Sequence, residues 1–116
     1  MNHRRLDVEQ IGDVTVATLV DRKISDETDI LLLGNELIAL IEDEGRRKLI
    51  VDFVRVEYFS DIALNKLILV DKRMKTAKGH LRLCTLNPHL TETFAITRLN
   101  KVFDIRATRT EALVGM

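Results

Sequence analysis

The apolar residues of this chain recur with two different spacings, and the spacing switches back and forth along the sequence. Leu6-Asp7-Val8-Glu9-Gln10 and Val14-Thr15-Val16-Ala17-Thr18-Leu19 alternate with the period of a strand. Ile11-Gly12-Asp13 between them is turn chemistry, so the pair predicts an antiparallel hairpin. Ser25 then predicts a helix start, with Asp26, Glu27 and Asp29 suiting the positive end of the helix dipole. Ile30, Leu33, Leu37, Ile38 and Ile41 follow at helical spacing, and Gly45 stops the run. Lys48-Leu49-Ile50-Val51-Asp52-Phe53 is short and almost continuously apolar, as a central strand covered on both faces must be.

A connection through Tyr58 and Phe59 leads to a second helix, predicted from Ser60-Asp61 to just before Gly79. Ile62, Leu64, Leu67, Ile68 and Met74 supply its apolar positions, and Lys72, Arg73, Lys75 and Lys78 suit its negative C-terminal end. Leu81-Arg82-Leu83-Cys84-Thr85 reads as a strand, and Asn87-Pro88 as an N-cap followed by proline at the first helical position. That third helix runs to about Arg98; Val102-Phe103-Asp104-Ile105 is a last strand, and Thr108 to Glu111 has capping-box spacing. The order ββαβαβαβα demands an α/β fold: a mostly parallel five-stranded sheet with an N-terminal antiparallel hairpin, packed with about four helices. Leu33, Leu37, Ile50, Val51, Leu67 and Leu83 are the predicted core, and Gly34, in mid-helix, predicts close packing against the sheet.

At 116 residues the chain, 1–116, reads as one domain able to bury its own core. It is 46% apolar and 31% charged, too apolar for a disordered tail, yet it holds no run of about 20 apolar residues that could span a bilayer. Met1-Asn2-His3-Arg4-Arg5 offers no apolar signal core, so the expectation is a cytoplasmic protein without membrane association. A lone cysteine, Cys84, excludes an intrachain disulfide; its place in an alternating strand predicts a buried thiol. Residues 1–44 carry four Lys/Arg against eleven Asp/Glu, and residues 45–116 carry fourteen against seven. The halves are expected to neutralise each other across the fold; the sharper alternative is a basic face for an acidic protein partner.

Balanced charge and 4% aromatics supply neither the basic footprint nor the stacking surface of a nucleic-acid binder. His3, His80 and His89 share no ligand spacing with one another or with Cys84, so no metal or cofactor is expected. Arg46-Arg47-Lys48 and the carboxylates of residues 26–44 read as solvated surface, and the five glycines form no phosphate loop. Nothing in the residue pattern builds a nucleophilic or acid–base site, so the chain is not expected to be an enzyme.

Val51-Asp52-Phe53-Val54-Arg55-Val56-Glu57-Tyr58-Phe59-Ser60-Asp61-Ile62-Ala63-Leu64 resembles the signature of STAS domains, the family named for sulphate transporters and anti-sigma factor antagonists. Its members read approximately Asp-Leu-Ser-Gly-Val-x-Phe-Ile-Asp-Ser-Ser-Gly-Leu, and Asp52, Val56, Glu57, Tyr58, Phe59 and Leu64 fall into that pattern without a gap. Leu86-Asn87-Pro88 and Leu99-Asn100-Lys101-Val102-Phe103 resemble a further family segment, so the likeness spans about Leu6 to Leu113.

The resemblance implies a bacterial, non-catalytic signalling module: an anti-sigma factor antagonist, or anti-anti-sigma factor, acting by partner switching in transcription regulation. It implies as partner an anti-sigma factor that is also a histidine-kinase-like serine kinase, contacted through Tyr58, Phe59, Ser60, Asp61 and Ile62. In regulatory members a serine at the start of the second helix is phosphorylated, where free N–H groups and the helix dipole receive the phosphate. Here the matching position is Asp61, which cannot accept a stable serine-type phosphate. Ser60 occupies the preceding position, Ile62 replaces a small residue, and Ala63 replaces glycine. Either Asp61 locks one state, or Ser60 is the acceptor, or regulation lies elsewhere. Both residues cap helices well, and the Asp61 carboxylate is expected to accept from the free N–H groups. The alternative function is a scaffold or small-molecule-binding STAS domain without phosphorylation; homodimerisation is compatible with either.

Overall fold

The structure, a computed structural model, describes residues 5–116, so His3 and the rest of Met1–Arg4 lie outside it. Strands β1 (Leu6–Ile11) and β2 (Val14–Leu19) form the antiparallel hairpin, with Ile11 facing Val14 across the turn. A short β3 (Lys23–Ile24) precedes helix α1 (Glu27–Glu42) and the central strand β4 (Lys48–Asp52). Then come β5 (Tyr58–Phe59), α2 (Asp61–Thr76), β6 (His80–Cys84), α3 (Pro88–Ile96), a single 3-10 turn (Leu99–Lys101), β7 (Asp104–Arg106) and α4 (Arg109–Leu113). The main sheet has the order β1-β2-β4-β6-β7, and every pairing after the hairpin is parallel.

β4 lies at the middle, and Leu49, Ile50 and Val51 are fully buried. Leu49 and Val51 join Ala17, Leu19, Leu81 and Leu83 in the larger core, which α1, α2 and α3 cover. Ile50 faces the other way, into a small cluster with Val14, Val16, Cys84 and Ala112 of α4. This two-sided burial is why the strand reads as an unbroken apolar run. All six predicted core residues are buried.

The differences from the predicted elements have local causes. Asp26, not Ser25, caps α1, its carboxylate accepting from the Asp29 N–H at 3.1 Å. β3 and β5 pair with each other in a separate two-stranded sheet, through segments too short to carry a period. The last strand begins at Asp104 because Leu99–Lys101 winds into the 3-10 turn and Phe103 turns into the core. Gly34 packs against α2, not the sheet: a Cβ there would lie 2.1 Å from Cε of Lys66, whose stem crosses the glycine. Gly79 likewise leaves room for the Met74 sulfur and the Arg47 carbonyl, while Lys78 carries the left-handed turn that ends α2 (φ 62°).

Two tests follow from the packing. Leu67 of α2 is buried against α1 and the sheet. Leu67→Ala should therefore lower stability by about 2–5 kcal/mol through transfer and cavity terms; an unchanged denaturant midpoint would contradict this packing. Burial pushes the Cys84 thiol up to about 11, so it should resist a thiol reagent in the native state and react only as the chain unfolds. Because the native thiol stays protonated after the unfolded one has ionised, stability should fall as pH rises from the ordinary thiol range toward 11.

Candidate functional site

The signature segment begins where β4 ends, and the last residue of the strand is already committed to structure. Asp52 is buried; one carboxylate oxygen accepts from the Val54 N–H at 3.0 Å and the other from Arg109 Nε at 3.1 Å. Arg109, at the start of α4, also reaches Thr18 Oγ1 at 3.0 Å and Glu9 at 3.3 Å, so its guanidinium ties three strands together. A buried carboxylate with a hydrogen-bonded cation is stable; one whose partner is removed is not. Asp52 is thus a structural residue of the motif, holding the turn out of β4 and the C-terminal helix.

From there the backbone crosses to β5. The Glu57 and Tyr58 N–H groups donate to the Arg22 carbonyl, and the Ser60 N–H donates to Ile24 at 2.9 Å, which closes the small β3–β5 sheet. Asn87 completes the frame: its Oδ1 caps α3 by accepting from Leu90, while its Nδ2 donates to the carbonyls of Val56 and Glu57 at 3.2 and 3.4 Å. Just before it, Thr85 holds a left-handed φ of 63°, rare for a β-branched residue. The Asn-Pro pair was legible as a helix start, but its second task of pinning a loop thirty residues away was not. Nor were Arg22, which pairs with Glu57, and Arg109. Their contacts are long-range and leave no local pattern.

The five residues grouped at this segment divide by exposure. Tyr58, Asp61 and Ile62 are exposed, and Ser60 is half-buried. Phe59 is buried, its ring edge-on to Phe53 at 5.2 Å; Phe53 in turn meets Phe94, and Phe94 meets Phe103. Phe59 therefore anchors the segment from beneath, while its neighbours form the surface. Ser60, with extended backbone, is the N-cap of α2: its Oγ accepts from the Ala63 N–H at 3.2 Å. Asp61 is the first helical residue, so the expectation that its carboxylate accepts from the helix N–H groups is corrected. A side chain at that position points outward, and the geometry of the cap belongs to Ser60. Asp61 instead leaves an unpaired carboxylate in solvent, with no ion-pair partner among the described residues. No grouping of His, Cys, Asp and Glu able to hold a metal occurs among the described residues.

The arrangement is a firm, exposed helix start that sets the Asp61 carboxylate beside Ile62 and Tyr58. Comparison with known proteins agrees with this frame. A Bordetella bronchiseptica protein, BtrV, assigned as an anti-sigma factor antagonist, is 30% identical over 108 residues, covering 93% of this chain and 90% of its own. An anti-sigma-factor antagonist (STAS) domain protein from Planctomyces limnophilus superposes with a TM-score of 0.83 at 25% identity, over 94% of this chain and 95% of the other. The phosphorylated Bacillus cell fate determinant SpoIIAA shares the fold, with a TM-score of 0.70 at 16% identity over 93% and 96% of the two chains. The STAS domain family model matches residues 6–112, from the first strand to the last helix, and the chain belongs to the STAS domain family.

Proposed function

We propose that residues 1–116 act as one cytoplasmic, bacterial regulatory module, an anti-sigma factor antagonist that controls transcription by partner switching. Its partner is a serine-kinase-type anti-sigma factor, bound through Tyr58, Ser60, Asp61 and Ile62 with Phe59 as the support beneath them. The observation that carries this reading is the division of labour at the start of α2. Ser60 holds the cap through its Oγ and stands one residue before the position that matches the family's phosphoacceptor. Asp61 stands at that position, exposed and free to meet a partner. One carboxylate charge is a partial match for the roughly −1.5 to −2 of phosphoserine, so the module is set part-way toward the phosphorylated state and is not switched by the usual chemistry.

The partner is tested first. A pull-down from native extract, read by mass spectrometry, should recover a histidine-kinase-like ATPase; recovery of none would leave the scaffold or small-molecule reading in its place. With that ATPase and ATP, the wild-type chain should gain no phosphate in intact mass. A gain that disappears in Ser60→Ala would instead make Ser60 the acceptor.

Asp61→Ser separates charge from structure. It should cost little stability, since an exposed first-turn acid contributes only about 0.3–1 kcal/mol through the helix dipole. By calorimetry it should bind the anti-sigma factor more tightly than wild type does, and it should gain a phosphate. Equal dissociation constants would leave Asp61 as a helix-start residue and nothing more.

A further inference from the structure

The N-cap of α3 is Asn87, and for capping alone serine or aspartate would serve as well. What asparagine adds is a second, donating end. Its Oδ1 accepts from the Leu90 N–H at 2.8 Å, while its Nδ2 reaches the Val56 and Glu57 carbonyls at 3.2 and 3.4 Å. Only one orientation of the amide satisfies both ends. Reversed, it would set an NH2 group against an N–H and an oxygen against two carbonyls. The cap therefore aims the amide. The backbone on either side of Asn87 is held as well, by Thr85 at a left-handed φ of 63° and by the ring of Pro88 in the first turn of α3.

The two carbonyls belong to the peptide units that lead into Tyr58. On the other side the same stretch is held by β3 and the residue before it: the Glu57 and Tyr58 N–H groups donate to the Arg22 carbonyl at 2.7 and 3.2 Å, and Arg22 pairs with the Glu57 carboxylate. Val56 and Glu57 are thus gripped between the start of β3 and the start of α3, and the next residue opens the exposed face. Underneath, Phe94 of α3 meets Phe53, which meets Phe59. The ring contacts set how deep the segment lies; the directional hydrogen bonds of Asn87 set its place against α3. Resting on the function proposed above, we propose that Asn87 is a positioning residue for partner binding. Its amide, and not its cap, holds Tyr58 and Asp61 where the partner meets them, and it acts through the loop that it ties.

The test uses the full chain and the purified ATPase recovered above. Tyr58 is the single tyrosine and the chain has no tryptophan, so intrinsic fluorescence reads the face directly. Asn87→Asp and Asn87→Ser both keep a capping oxygen and lose the amide donor, one with an added charge and one without. Both should still melt cooperatively. Both should lower the fluorescence anisotropy of Tyr58 and speed amide exchange at Glu57, Tyr58 and Ser60, as local loosening does. Both should weaken binding to the ATPase by about two- to ten-fold, the worth of one hydrogen bond. Anisotropy, exchange and affinity all at wild-type values in both variants would reduce Asn87 to a helix cap and overturn the proposal. A loosened loop with unchanged affinity would overturn it too, because the face would then not need the tie. Weaker binding in Asn87→Asp alone would assign the effect to the added charge, with the same consequence. If the wild-type chain does not bind while Tyr58 loosens in both variants, the functional reading falls and takes the binding role with it, though the tie itself stands.

Discussion

Strand β4 is enclosed on both faces, and its last residues fix the position of everything that follows. Asp52 turns its carboxylate away from the three-helix face, where Arg109 and the Val54 N–H satisfy it. Phe53 turns the other way, into a run of edge-to-face rings that reaches Phe59 on one side and Phe94 and Phe103 on the other. All four phenylalanines of the chain are used in this run. The exposed surface of Tyr58, Ser60, Asp61 and Ile62 rests on it. A rigid start to α2 is thus a consequence of close packing, in which aromatic pairs hold both distance and orientation. Asn87 adds a polar tie from α3 to the same segment.

The uneven distribution of charge along the sequence is resolved by pairing in space. Asp7 meets Arg55, Glu9 meets Arg109, Asp13 meets Lys48, Glu42 meets Arg73 and Glu44 meets Arg46. Each of these joins the acidic first 44 residues to the basic remainder. Most are exposed and individually weak, and together they join the two oppositely charged parts of the chain. Exposed charges of both signs stand outside these pairs, Asp26, Glu27 and Asp61 among the acids and Lys23, Lys72 and Lys78 among the bases.

Much of the architecture was legible because it depends on period. A hairpin, a doubly covered strand and helices beginning near Ser25, Ser60 and Pro88 are local patterns, set by which faces must leave water. The start of α1 slipped by a residue where Ser25 and Asp26 stood together, whereas α2 starts at Ser60-Asp61 as read, with the cap on Ser60. Either member could cap by chemistry, and only backbone dihedrals choose between them. The candidate site was marked off only as a segment, through its resemblance to a family, and not as a geometry. Periodicity could not place Phe59 under the surface or Asp61 outside the cap.

What the sequence alone determined was the class of fold and its core stripes, because these are properties of residue type and spacing. Tertiary structure decided which residue caps α2, what holds the loop before it, and that Gly34 makes room for a lysine from the neighbouring helix. It also decided which acids remain unneutralised. These depend on contacts between residues far apart in the chain, and such contacts exist only once the layers have packed.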